Sequence, residues 1–358
     1  MNTSHEKTEN KNRTIGTSRI LVHACLIAAF CVPPSLCVNA QSSNRQTTNQ
    51  RQKQPQKPPQ KPPEKKEDDQ KDAVIQGQDN IVLGTELITI PFSVTDSLNR
   101  YVNDLNQGDI EVFEDDKPQK VFSFSREADI NLKYALAIDT SNSQRNTLSL
   151  EKTAALRFFR VSMHPKDSAA ILTFQHNTDL LQPMTSDLDA ITKAVGRVGD
   201  EPPSAQGGTA LYDAFYIAAD DFFVRGGGRQ VLILLTDGYD FESSIDIKDA
   251  IERAVRAETV VYAIGIGDSF NFSGINTRDL NLLAKSTGGR AFFPHRDSDL
   301  DDAFRQIQSD LRQRYVLTYS SSNTSHDGSF RTIKVQVKDR PELVVRYRRG
   351  YYAPAQSK

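Results

Sequence analysis

Asp139, Ser141 and Ser143 occupy alternate positions directly after the uncharged apolar run 134–138. A strand ending this way puts one carboxylate and two hydroxyls on a single tight loop, where all three can face one hard cation. Two further fragments follow in order. Gly207-Gly208-Thr209 open a helix-like segment, and Leu234-Leu235-Thr236-Asp237-Gly238 close a second apolar strand. Asp139, Ser141, Ser143, Thr209 and Asp237 together offer two carboxylates, three hydroxyls and no soft ligand. Mg²⁺ prefers near-octahedral oxygen, keeps several of its waters and is usually held by one or two carboxylates. Such a set leaves room for an oxygen from outside. Any one fragment reads equally well as a helix cap or an ordinary turn. Three in order, on alternating strands and helices, point to a metal site.

The elements that must position these residues alternate along 131–313. Strands are expected at 133–139, 169–174, near 180, at 230–235, 260–266 and 290–293. Helices are expected near 148–163, 188–198, 211–223, 247–257, 278–286 and 300–312. Strands this uniformly apolar are buried on both faces, which requires helices on both sides of a mostly parallel sheet. Ligands of such sheets gather beyond the carboxyl ends of the strands, where Asp139 and Asp237 fall. The fold class is therefore α/β, doubly wound.

These fragments, with Val261-Tyr262-Ala263-Ile264-Gly265-Ile266-Gly267, resemble the von Willebrand factor A domain and its metal-ion-dependent adhesion site. The resemblance covers about half the chain. It implies that Ser141, Ser143 and Thr209 bind the ion directly or through water. Asp139 and Asp237 would anchor it mainly through ligand waters and hydroxyls. The ion implied is Mg²⁺, or Mn²⁺ or Ca²⁺, and its open position would accept an Asp or Glu carboxylate of a partner protein. In integrin-like relatives ligand binding moves the last helix, so the junction at 313–314 would pass that motion to the C-terminal strands.

Both flanks of the central segment read as β. Residues 74–128 carry candidate strands at 81–83 and 87–95, then a hairpin of 109–114 with 119–124 turning at 115–118. This stretch resembles the β-rich segment that precedes the A domain in a family of secreted bacterial proteins. Residues 314–353 carry three more candidate strands. A two-stranded ribbon is marginal alone, so the two flanks are expected to form one β-sandwich with the α/β domain inserted between them.

The start of the chain reads as an export signal. Residues 1–40 hold four Lys or Arg, then an uncharged segment with Cys25, Cys31 and Cys37, ending Val38-Asn39-Ala40. A basic start, an apolar run and small residues at a cut describe a Sec-type signal, leaving no cysteine in the mature chain. An uncleaved anchor is the alternative, and Pro33-Pro34 and the short apolar core argue against a spanning helix. Residues 41–72 contain no large apolar side chain and are expected to stay disordered as a spacer. The protein would be periplasmic, cell-surface or secreted.

Net charge is −2, with no basic excess to suggest nucleic acid. His164, His176, His295 and His326 are scattered without a His-Glu-x-x-His pattern. Asp240 and Glu242 lie near the expected ion, where rim or supporting roles are expected rather than those of catalytic bases. The function expected is protein binding through the ion, with no catalytic activity. A scaffold whose metal site has no binding role and a metal-dependent hydrolase are the alternatives.

Overall fold

The computed structural model describes residues 87–127, 130–200, 208–219, 227–267 and 274–355. The expected signal peptide, spacer and strand at 81–83 lie outside these residues. The first strands are β1 (Leu87–Thr95), β2 (Ile110–Glu114), β3 (Lys117–Gln119) and β4 (Val121–Glu127). The expected hairpin differs in its details. Only Asp115 and Asp116 make the turn, both at positive φ (47° and 62°), as a two-residue hairpin turn of right-handed twist requires. Pro118 pairs opposite Phe113 in β3. It is tolerated because β3 is an edge strand, with no partner waiting for its missing N–H. Residues 121–127 do not continue that hairpin, because β4 leaves for a second sheet.

The central sheet is built from β5 (Leu132–Asp139), β6 (Ser168–Phe174), β7 (Thr178–Thr185), β8 (Arg229–Thr236), β9 (Val260–Gly265) and β10 (Ala291–Phe292). Their order is β10-β9-β8-β5-β6-β7, all parallel except the edge strand β7. Helices α1 (Leu148–Ser162), α2 (Leu188–Arg197), α3 (Leu211–Ala218), α4 (Ile247–Arg256), α5 (Thr277–Ser286) and α6 (Asp297–Arg312) cover it. Strand β5 shows why both faces are covered. Alternate residues of a strand point to opposite faces. Leu132, Tyr134, Leu136 and Ile138 pack with Phe158, Phe159, Ile307 and Leu311. Ala135 and Ala137 face the other way, where small side chains let Ala214, Phe215 and Ala218 of α3 come close. Each large side chain so buried contributes roughly 1.5–3 kcal/mol. Helix α6 begins three residues before the expected start, with Asp297 and Asp299 in its first turn, where the helix dipole favours acids.

The chain then returns as β11 (Arg314–Ser320), β12 (Phe330–Val337), β13 (Val344–Arg346) and β14 (Gly350–Tyr352). Strand β11 inserts between β1 and β4, antiparallel to both, and β12 pairs with β2. The two sheets, β13-β1-β11-β4 and β14-β12-β2-β3, share one core of Ile90, Phe92, Val112, Leu317, Tyr319, Ile333 and Val335. The flanks thus form one β-sandwich, and the α/β domain is inserted between β4 and β11.

Candidate metal centre

Strands β5 and β8 run side by side and end together, with Ile138 opposite Leu235. That register brings the residues that follow, Asp139 and Thr236, into contact. Thr236 Oγ1 donates to Asp139 Oδ2 at 2.7 Å, and Ser141 N donates to Oδ1 at 2.9 Å. Both carboxylate oxygens of a fully buried Asp139 are therefore fixed. The loop then turns through a short 3₁₀ segment, Asn142–Gln144. It brings Ser141 Oγ to 3.0 Å from Ser143 Oγ.

The Thr209 loop is held from two sides. Its carbonyl accepts from Phe241 N (2.9 Å) and Glu242 N (3.3 Å), while Ala210 N donates to Gln175 O at 2.7 Å. Gly208 has φ 98°, and a Cβ there would stand 2.1 Å from the Glu242 carboxyl carbon, so only glycine admits both the turn and the acid. Asp237 Oδ1 accepts from Tyr239 N at 3.1 Å, and its carbonyl accepts from Asn276 N at 2.8 Å. Gly238 is at φ 84° with Leu280 where a Cβ would go.

Asp139, Ser141, Thr209 and Asp237 are all buried, and Ser143 lies beside Ser141 on the same loop. Burial raises the Asp139 carboxyl to about 6, against the pull of Thr236 and Ser141, and the charge of Asp237 raises it further. A second carboxyl stands behind it. Glu151 of α1 is fully buried, accepts from Thr147 Oγ1 at 2.7 Å and leaves Oε2 without a partner. Burial raises it to about 8, and the charges of Asp139 and Asp237 add to the rise. Three acids short of positive charge, with hydroxyl oxygens beside them, fit a hard divalent cation. Among the described residues no three His, Cys, Asp or Glu side chains form a metal cluster of their own, so any site here depends on the hydroxyls.

Asp240 holds the start of α3. Its Oδ1 accepts from Ser243 Oγ and from Tyr212 N at the start of α3. Glu242 pairs with His176 Nδ1 at 2.6 Å on the rim. Beside them Tyr239 and Phe241 stack at 6.0 Å, and Phe241 is 72% exposed. Thr236 and Glu151 escape a motif-based reading. Thr236's role requires knowing that β5 and β8 are neighbours, and Glu151 lies twelve residues beyond Asp139 within an ordinary helix.

Among known proteins, the family model of the von Willebrand factor type A domain matches residues 135–309. This segment is a von Willebrand factor type A domain. Integrin alpha-M of Mus musculus and integrin alpha-X of Homo sapiens are each 30% identical over 106 residues. The match takes in 30% of this chain and 9% of each integrin, so the chain spans under a tenth of those relatives. Among solved structures, the conserved hypothetical protein BatB from Bacteroides thetaiotaomicron is 17% identical, with TM-score 0.41 over 51% of this chain and 100% of BatB. Proximal thread matrix protein 1 of the mussel byssus, in a form whose MIDAS motif is occupied by zinc, is 18% identical, with TM-score 0.42 over 52% of this chain and 50% of its own. The A domain thus occupies the α/β part, and the sandwich lies outside the matched residues.

Proposed function

We propose that this chain is an extracytoplasmic protein-binding module. Its A domain would hold a divalent ion through Asp139, Ser141, Ser143, Thr209 and Asp237, and the ion would take an Asp or Glu carboxylate from a partner protein. The observation that carries the reading is the loop at the end of β5. A buried, doubly fixed Asp139 stands beside two serine hydroxyls 3.0 Å apart, with two further acids near it and, among the described residues, no cation among its hydrogen-bond partners.

When bound, the ion would supply a Lewis-acidic centre for a partner oxygen. The chain's own contribution is orientation. Thr236 and the Ser141 amide hold Asp139, and the Phe241 and Glu242 amides hold the Thr209 carbonyl. Mg²⁺, Mn²⁺ and Ca²⁺ all suit these oxygen donors. The exposed Tyr239–Phe241 pair would give a partner an apolar footing beside the ion, since aromatic side chains commonly anchor interfaces. Residues 1–40 would direct export, and 41–72 would space the folded part from a membrane or wall.

Calorimetric titration of Mg²⁺ and Mn²⁺ into the chelator-stripped chain, beside Asp139→Ala, tests this. One saturable site lost in the variant is expected, together with partner capture that chelator and the variant both abolish. Capture that survives both treatments would sink the adhesion mechanism.

A further inference from the structure

A second cluster of chemistry lies at the far end of α5 from the ion site. Asn276, before α5, donates its backbone N–H to Asp237, and the ten residues of α5 carry the chain about 15 Å away. There the turn after α5 meets the β13–β14 segment. Thr287 bridges to Arg348, and Arg349 N donates to Ser286 O at 3.2 Å. Gly288 permits this approach, since a Cβ there would stand 2.6 Å from Arg348 N, while Gly289 lets the turn pass close to β9, where a Cβ would stand 1.9 Å from Val261 O. Between the two walls lies a cleft of about 280 Å³.

Lys285, Arg290, Arg346 and Arg349 line this cleft, and among the described residues no carboxylate does. The recorded hydrogen-bond and ring partners of the three arginines are neutral. Arg290 Nη1 donates to Gln306 Oε1 at 3.0 Å and lies 4.8 Å over the Phe292 ring. Arg346 Nη1 donates to Thr95 Oγ1 at 2.9 Å. Arg349 lies 5.9 Å from the Tyr347 ring centre. Burial, and then the neighbouring Arg346, pull Arg290 below its usual range. Asp310 reaches both arginines electrostatically, but it is already paired with Arg314. Two half-buried arginines side by side, offset only by an acid already paired with Arg314, repel each other, and guanidinium forks match oxyanions two bonds at a time.

We propose that this cleft is an anion site that takes a phosphate-bearing ligand. Four cations converging on one cleft call for at least two negative charges on one small group, which a diphosphate or a doubly ionised phosphate ester carries. The walls come from the A domain and the sandwich alike, so the ligand would bridge the two. The site is independent of the proposed ion site and of the partner carboxylate.

The test uses the full chain carrying Asp139→Ala in chelator, so that phosphate cannot be held by an ion at the other end. Inorganic pyrophosphate is titrated calorimetrically at low salt into this protein and into one that also carries Lys285→Gln and Arg349→Gln. Both replaced side chains are exposed, so the melting temperature should stay unchanged. Saturable binding weakened tenfold or more by the added pair is expected. Parallel sedimentation with phosphatidic acid vesicles, whose phosphomonoester headgroup can ionise twice, separates the sources. Co-sedimentation lost in the same variant assigns a lipid headgroup, and pyrophosphate binding without it assigns a free phosphate compound. Absence of saturable pyrophosphate binding, or binding indifferent to the two substitutions, overturns the proposal.

Discussion

The two ends of the A-domain sheet handle buried charge in opposite ways. At the carboxyl ends of β5 and β8, Asp139 and Glu151 are fully buried with no cationic partner among the described residues, and both carboxyls sit far above their usual range, at about 6 and about 8. At the other end, where the sandwich joins, Arg314 is 1% exposed and its charge is fully matched. Its Nη2 donates to Tyr262 OH at 2.6 Å and to Asp310 Oδ2 at 3.2 Å, and Nε donates to the Asp310 carbonyl at 3.0 Å. Ser93 of β1 donates to the remaining Asp310 oxygen at 2.5 Å, tying the sandwich into the same network. Although burial raises Asp310, Arg314 and the two hydroxyls outweigh it and hold the carboxyl below its usual range. The same chain thus satisfies charge in the Ser93–Asp310–Tyr262–Arg314 network, which ties β1 to α6 and β9, and leaves charge unmatched where a ligand would enter.

The sharpest way to break that contrast is to open the joint. Arg314→Met should remove about 3–5 kcal/mol, because it strands Asp310 as an uncompensated buried charge. Guanidinium melts at neutral pH measure it, and a loss within experimental error would mean the network is not the clamp described here.

The ion end should respond to pH with the opposite sign from a paired acid. A raised folded pKa means the folded state holds its proton while the unfolded state has already lost it. Stability from Glu151 is therefore present below its unfolded value near 4.5 and is lost as pH rises through about 8. In the chelator-stripped chain the loss should be on the order of 5 kcal/mol. Glu151→Gln should be more stable than the parent at pH 8.5, with its remaining decline confined below about pH 6, where Asp139 titrates. Parallel stability–pH curves for parent and variant would show that Glu151 is not held neutral.

A smaller effect isolates orientation from charge. Thr236→Val removes the hydroxyl that fixes Asp139 Oδ2 while keeping the size of the side chain. Mg²⁺ affinity should fall about 10- to 100-fold, as for other groups that orient a ligand without touching the metal. Unchanged affinity would leave Asp139 positioned by the Ser141 amide alone.

Much of the α/β part was readable in advance because its signals are local. An apolar run long enough to be buried on both faces, followed by Asp-x-Ser-x-Ser, needs no distant information to be recognised as a strand end with oxygen donors. The expected strands and helices of 131–313 recur in the described residues with boundaries moved by a few positions, as at the start of α6. The flanks were less readable. The departure of β4 into the other sheet depends on pairing with β11, some 190 residues later in the chain, and the turn takes only Asp115-Asp116 of the residues 115–118 expected for it.

Residue type and short-range period are enough to fix which side chains can offer oxygen to a hard ion, and the parallel sheet that carries them. Tertiary structure alone decided that Thr236 anchors Asp139, that Glu151 lies buried behind the aspartates, and that Lys285, Arg290, Arg346 and Arg349 share one cleft. These juxtapositions come from strand order and from the return of the chain after α6. They are set by the packing of whole elements, which no local spacing encodes.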